Sequence, residues 1–168
     1  MLKVLIADDE PYVREGIKNI VPWEEIGFNI CGEGTDGDDT YNKICKFNPD
    51  LVLIDIKMPG KIGLDVIKES VENGFKGKFV IISGYSDFQY AKVAIKYGVK
   101  SYLLKPIDED ELYEIAVNLK KEIEEEKNEL RNIEMQKSYA KEYSLSQLML
   151  GKSVDDYEEI VNGFNYST

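Results

Sequence analysis

Histidine is absent from this 168-residue chain, which removes histidine-based zinc sites, histidine general bases and any capacity to carry a phosphohistidine. Cysteine is scarce as well. Cys31 and Cys45 are the two thiols; they sit inside apolar stretches without metal-ligand spacing and are expected as buried thiols. Basic residues are too few to balance the acids, and the formal charge of -11 argues against a chain that grips nucleic acid by itself. No apolar run approaches membrane-spanning length. The first one is interrupted by Lys3 and stops at Asp8, so no secretory leader is expected and the cytoplasm is the expected compartment. Only five prolines interrupt the chain, and 43% of it is hydrophobic, enough to bury a core.

What is present is a repeated alternation. Leu2 to Ala7, Leu51 to Ile54 and Phe79 to Ile82 are short and nearly continuous in Val, Ile and Leu, the pattern of parallel strands covered on both faces. Asn29 to Glu33 reads as a weaker edge strand, and Tyr102 to Leu104 as a fifth short one. Between them Val13, Ile17 and Ile20, then Tyr41, Ile44 and Cys45, then Leu64, Ile67 and Val71, then Phe88, Ala91, Val93, Ala94 and Tyr97 follow helical spacing. Such alternation with short connections implies right-handed βαβ units and a five-stranded parallel, doubly wound α/β sheet. Pro11 suits a first helical turn, Ser86 and Asp87 suit a cap, and Gly98 suits a helix end.

Residues 1–120 account for this domain. Residues 121–168 read as a helical linker and the start of a truncated C-terminal region. The acidic turn Asp108-Glu109-Asp110-Glu111 favours a helix start, and Leu112, Ile115, Leu119, Ile123, Leu130 and Ile133 carry a three/four spacing beyond the domain. That stretch is either a solvated linker helix or a short coiled coil pairing two chains, with Glu126 interrupting the seam. Ser144 to Leu150, ending at Gly151, is expected as a further short helix.

Four strand ends carry chemistry. Asp8 and Asp9 close the first strand and Asp55 the third; with strand order 2-1-3-4-5 these are neighbours, about 4.8 Å apart. Three carboxylates that close repel one another unless a cation intervenes, and oxygen ligands without His or Cys favour Mg²⁺. Ser83 ends the fourth strand, where a hydroxyl reaches a group on Asp55. Lys105 ends the fifth, about 10 Å away by two strand spacings, and a cis Lys105-Pro106 bond would redirect it over the sheet edge.

These residues, together with Met58-Pro59-Gly60, Ser83-Gly84 and Lys105-Pro106, resemble the motif set of bacterial two-component response-regulator receiver domains, of the CheY-like, flavodoxin-like fold. The resemblance covers residues 1 to about 120. Val21-Pro22-Trp23-Glu24-Glu25-Ile26-Gly27-Phe28, the Tyr85-Ser86-Asp87-Phe88 segment and the long helix further resemble regulators with an AraC-type helix-turn-helix domain, which this chain lacks. The resemblance implies that Asp55 is the phosphoacceptor, that Mg²⁺ is held by Asp8, Asp9, Asp55 and the Lys57 backbone carbonyl, and that Ser83 and Lys105 contact the phosphoryl group. It implies Tyr102 as the switch aromatic. A sensor histidine kinase is the implied partner, and DNA is bound only through the missing domain. A homodimer would form through the fourth helix, fifth strand and fifth helix, or through the extended helix. The chain would thus be a signalling phosphoprotein in transcription regulation and not an enzyme.

One departure stands out: Lys61-Ile62 occupy positions where the family often has Met and then Asp or Asn, which puts capping of the third helix in doubt. Lys57 and Tyr85 lie where the family varies. A Mg²⁺-dependent phosphohydrolase using Asp55 is the competing class, but Lys57 stands where the haloacid dehalogenase-type motif has its second Asp. A receiver that signals without phosphate is the third reading.

Overall fold

The computed structural model describes residues 1–84 and 88–149. Tyr85, the Ser86–Asp87 cap, Leu150, Gly151 and the segment from Asp155 to Thr168 lie outside the described residues. Ten elements alternate: β1 (Leu2–Ala7), α1 (Pro11–Ile20), β2 (Phe28–Gly34), α2 (Gly37–Phe47), β3 (Leu51–Ile54), α3 (Gly63–Glu72), β4 (Lys78–Ser83), α4 (Phe88–Lys96), β5 (Ser101–Leu104) and α5 (Glu109–Met149). The strands form one sheet in the order β2-β1-β3-β4-β5, and every pairing is parallel. The doubly wound fold expected from the sequence is therefore the fold observed.

Side chains alternate across a strand with period two, so each strand feeds both faces of the sheet. Val4, Ile6, Leu51, Leu53, Val80, Ile82 and Leu103 pack on one face with Ile17 of α1 and Leu112, Ala116 and Leu119 of α5. Leu5, Ala7, Val52, Ile54, Phe79 and Ile81 pack on the other with Ile44, Leu64, Ile67 and Ala94 of α2, α3 and α4. Burial on both faces explains why these strands read as continuous apolar runs.

The cysteines depart from expectation. Cys45 is exposed and Cys31 only half-buried. In α2 the buried positions are Gly37, Thr40 and Ile44, and Cys45 is one residue, about 100° of helix turn, away from that stripe. Cys31 falls at a register shift where Val4 pairs Ile30 but Leu5 pairs Gly32, which leaves it without a strand partner.

Helix ends follow local chemistry. Pro11 occupies the first turn of α1, Asp36 caps α2 by accepting from Asp39 N–H, and Asp108 Oδ1 accepts from Glu111 N–H at 2.9 Å in the first turn of α5. The Trp23 indole donates to the Ile17 carbonyl at 3.0 Å, closing the C-terminal turn of α1. The start of α3 has no side-chain cap, with Ile62 at the capping position, as the Lys61-Ile62 departure foreshadows.

The chain divides into compact units at Ile123 and Glu124. Within the first, α5 is amphipathic and buries Leu112, Ala116, Leu119 and Ile123. Within the second, Leu130 and Ile133 are exposed. Ser144 to Met149 continue α5 and do not form the separate helix expected from the sequence, because nothing between Ile133 and Ser144 breaks a helix: neither Gly nor Pro occurs there.

Candidate functional site

The register of the sheet builds the site. Ala7 pairs with Ile54, so the residues that follow, Asp8 and Asp55, leave adjacent strands at the same edge. Asp55 N–H donates to the Ala7 carbonyl at 2.9 Å, and Asp8 N–H to the Gly34 carbonyl at 3.1 Å. Both acids are thereby fixed by ladder-like bonds at strand ends. Asp8 is 1% exposed and Asp55 6% exposed, while Asp9 faces solvent. One carboxylate oxygen from each of Asp8, Asp9 and Asp55 lies within 4.8 Å of the others.

Lys105 reaches this cluster from β5. Its N–H donates to the Ser83 carbonyl at 2.9 Å, and the Lys105-Pro106 bond is cis. Its Nζ lies 2.8 Å from Asp8 Oδ2, 3.3 Å from Asp55 Oδ2 and 3.4 Å from Glu10 Oε1. Ser83, fully buried, pairs with Leu104 at the end of β4 and so stands between the Asp55 and Lys105 strand ends. The structure thus brings Asp8, Asp9, Asp55 and Lys105 together and sets Ser83 at the same edge.

Tyr102 lies on a face of the sheet, and Lys57 follows Asp55 by two residues in the loop after β3. Tyr102 is half-buried and packs on the sheet face that carries α4, opposite Ile81 in register. Lys57 has an exposed side chain between the buried Ile56 and Met58. The loop from Ile56 to Gly63 is held at its far end, where Gly63 N–H donates to the Ile56 carbonyl at 2.8 Å. A Cβ at Gly63 would overlap the Asp55 carbonyl oxygen, so this position needs glycine for close approach.

Electrostatics make the cluster tense. Burial raises the Asp8 carboxyl above its ordinary range, and neighbouring Asp55 adds to the rise; Lys105 and the Glu10 N–H oppose it without cancelling it. Burial also works against the Lys105 ammonium, but the carboxylates of Asp8 and Asp55 outweigh burial and hold it above the ordinary lysine value. Two buried oxygens, Asp8 Oδ2 and Asp55 Oδ1, lack a hydrogen-bond partner among the described residues. Asp8 Oδ2 is ion-paired with Lys105 Nζ at 2.8 Å. All-oxygen donors with unsatisfied lone pairs fit a hard divalent cation such as Mg²⁺.

Sequence reasoning missed two neighbours. Glu10 is a third carboxylate within reach of Lys105, beside Asp8 and Asp55, signalled only by its place after Asp8 and Asp9. Arg14, one turn into α1, donates from Nη1 to the Asp8 carbonyl at 2.7 Å; no spacing rule pointed to it.

Comparison with known proteins agrees with this geometry. Residues 4–117 match the response regulator receiver domain family, and the chain belongs to that family. It is 41% identical over 126 residues to the uncharacterized transcriptional regulatory protein YesN of Bacillus subtilis, covering 73% of this chain and 34% of that protein. It is 35% identical over 157 residues to the transcriptional regulatory protein HptR of Staphylococcus aureus, covering 94% of this chain and 60% of that one. The chain thus spans only part of the length of these curated relatives. Among solved structures, the REC domain of AraT, a response regulator from Geobacillus stearothermophilus, superposes with TM-score 0.71 at 36% identity, covering 75% of this chain and 98% of that one. A chain of the CheX-CheY complex with BeF₃ and Mg²⁺ from Borrelia burgdorferi gives TM-score 0.64 at 26% identity, with coverage of 70% and 88%. Receiver domains are phosphoacceptor signalling domains. Among the described residues no helix is long and apolar enough to cross a membrane.

Proposed function

We propose that this receiver domain takes a phosphoryl group from the phosphohistidine of a sensor kinase onto Asp55, and that the phosphorylated form sets the output of a transcriptional regulator in two-component signal transduction. The observation that carries the reading is the unpartnered Asp55 Oδ1, buried beside an ammonium 3.3 Å from the other oxygen of the same carboxylate. One oxygen is oriented by Lys105 while the other keeps its lone pairs for attack.

Asp8, Asp9, Asp55 and the Lys57 carbonyl would hold Mg²⁺, which when bound spreads the charge of a transferring phosphoryl group. Asp55 Oδ1 would form the new P–O bond as the P–N bond of the donor breaks, leaving the imidazole on the kinase. Lys105 would move its attraction from Asp8 to the phosphoryl oxygens, the Ser83 hydroxyl would donate to one of them, and Tyr102 would move inward as the serine shifts. The absence of histidine makes the chain a receiver and never the donor.

Residues 1–120 would form the receiver and 121–168 the linker to an effector domain of the AraC helix-turn-helix type. Only that domain would contact DNA, and the protein would act in the cytoplasm. Pairing of two copies, through α4, β5 and α5 or through the exposed stripe of Leu130 and Ile133, would carry the switch outward.

Incubation with acetyl phosphate and Mg²⁺ tests the core of this reading. Expected is one phosphoryl group per chain, lost on Asp55→Asn and on chelation of the metal. Sustained turnover of small phosphoesters, or a folded chain that is never labelled, would overturn it.

A further inference from the structure

Asp8 is gripped by its peptide as well as by its side chain. Its N–H donates to the Gly34 carbonyl at 3.1 Å, and its carbonyl accepts from Arg14 Nη1 at 2.7 Å. The same guanidinium donates from Nε to Glu33 Oε2 at 2.9 Å. Glu33 immediately precedes Gly34 in β2, so the last two residues of that strand hold both main-chain polar groups of Asp8, the N–H of the Ala7–Asp8 peptide directly and the carbonyl of the Asp8–Asp9 peptide through Arg14. The arginine is 12% exposed in its side chain and enters α1 with its own N–H on the Glu10 carbonyl. Asp9 follows this peptide directly and lies exposed, so its placement depends on the orientation of the peptide that Arg14 holds.

Glu33 does not depend on Arg14 alone. Lys18 Nζ lies 2.9 Å from Glu33 Oε1, and Lys43 Nζ donates to the Glu33 carbonyl. Removing Arg14 therefore leaves Glu33 paired and releases one feature only, the clamp on the Asp8 carbonyl. A guanidinium suits this position because its planar fork serves two acceptors at once, which a lysine ammonium on a flexible stem does not reproduce.

We propose that Arg14 is a positioning residue for divalent cation binding, orienting the Asp8–Asp9 pair from behind without touching cation or phosphoryl group. The proposal rests on the metal reading of the acidic cluster given above. Outer partners that orient metal ligands are commonly worth about 10- to 100-fold in affinity, and the lower end applies here because two bonds already fix Asp8 on its other side. In the full chain, Arg14→Gln should raise the Mg²⁺ dissociation constant measured by calorimetry about 10-fold. The acetyl phosphate labelling rate at saturating Mg²⁺ should stay within about twofold of the parent, since Asp55 and Lys105 are untouched. In the metal-free protein, hydrogen exchange at the Glu10 amide, which donates to Asp8 Oδ1, should speed up. Lys18→Gln, which removes the other cation on Glu33 with no bond to Asp8, should leave Mg²⁺ affinity unchanged.

Equal Mg²⁺ affinity in parent and Arg14→Gln would overturn the inference, as would a labelling deficit that persists at saturating metal. If Arg14→Gln fails to fold, Glu33→Gln serves instead: it frees the guanidinium from its anchor and should weaken Mg²⁺ binding by several-fold. An unchanged affinity there would also overturn the inference. A parent chain that binds no Mg²⁺ would instead sink the metal reading itself, a result distinguishable because the parent is measured first.

Discussion

Replacing Lys105 with methionine removes an ammonium that lies against both buried carboxylates, and the consequences follow from the geometry. At an effective dielectric of 20, unit charges at the Lys105–Asp8 separation of 2.8 Å attract by about 6 kcal/mol, and at the Lys105–Asp55 separation of 3.3 Å by about 5 kcal/mol. Desolvation of the ammonium cancels part of this, and breaking buried pairs by removing one partner costs about 3–5 kcal/mol in practice. For a domain of this size that corresponds to a fall in melting temperature of roughly 10–20 °C. The deficit must depend on pH. Without the lysine, which opposes the rise, the Asp8 carboxyl, already raised by burial, is pushed up further. A carboxyl whose folded value lies above its unfolded one stabilises fully below the ordinary carboxylate range and loses that contribution as pH rises through the folded value. The loss in Lys105→Met should therefore be large at pH 7, smaller at pH 5 and smallest below pH 4. Added Mg²⁺ should recover part of it at pH 7, and by more than it stabilises the parent. Thermal melts of the two proteins at three pH values, each with and without Mg²⁺, supply the test. A deficit equal at all pH values and indifferent to Mg²⁺ would refute the reasoning, because it would mean that lysine packing, and not charge, was lost.

Other outcomes follow from single contacts. Asp8→Asn should raise the melting temperature of the metal-free chain at pH 7, since an amide escapes the burial penalty on the ionised acid; the gain should vanish near pH 3, where the parent acid is protonated. Calorimetry on the same variant should find Mg²⁺ affinity reduced. Gly63→Ala should destabilise by about 2–3 kcal/mol, the upper part of the roughly 1–3 kcal/mol range for overpacking, because its Cβ would overlap the Asp55 carbonyl; urea titration reads this directly. Trp23→Phe should cost about 1–2 kcal/mol by urea titration, through the lost bond to the Ile17 carbonyl and the unfilled space. Lys61→Ala should cost less than about 1 kcal/mol, since its partners Asp38 and Glu69 are both substantially exposed.

Features that depend on chain order alone were legible in the sequence. Continuous apolar runs identified β1, β3 and β4, the alternation gave the parallel sheet, and topology then placed Asp8, Asp55, Ser83 and Lys105 at one edge. That inference needed only the strand spacing and the length of a lysine. What stayed hidden depends on register or on small angular offsets. Cys45 counts as part of an apolar stripe until the helix phase shows it one position off. Cys31 looks like an inward strand residue until the shift between Val4 and Leu5 is seen. Arg14 reads as one more charge on an exposed helix. Its role emerges only when β2 sets Glu33 beside it and the Asp8 carbonyl turns toward it, a meeting of three elements that no local pattern encodes.

The site also links stability to function with opposite signs. Crowding Asp8, Asp9 and Asp55 within 4.8 Å raises the free energy of the metal-free fold, and a divalent cation bound as proposed would relieve this same excess. A neutral residue at Asp8 should therefore stabilise the empty domain and weaken cation binding together. Loss of Lys105 should destabilise the empty domain and enlarge its gain from cation. Arg14 belongs to a third class. It carries no share of the crowding, so its removal should change cation affinity through orientation while leaving the pH dependence of stability in place. Stability against pH, measured beside Mg²⁺ affinity in the three variants, separates charge relief from ligand orientation because no two of them move both quantities in the same way.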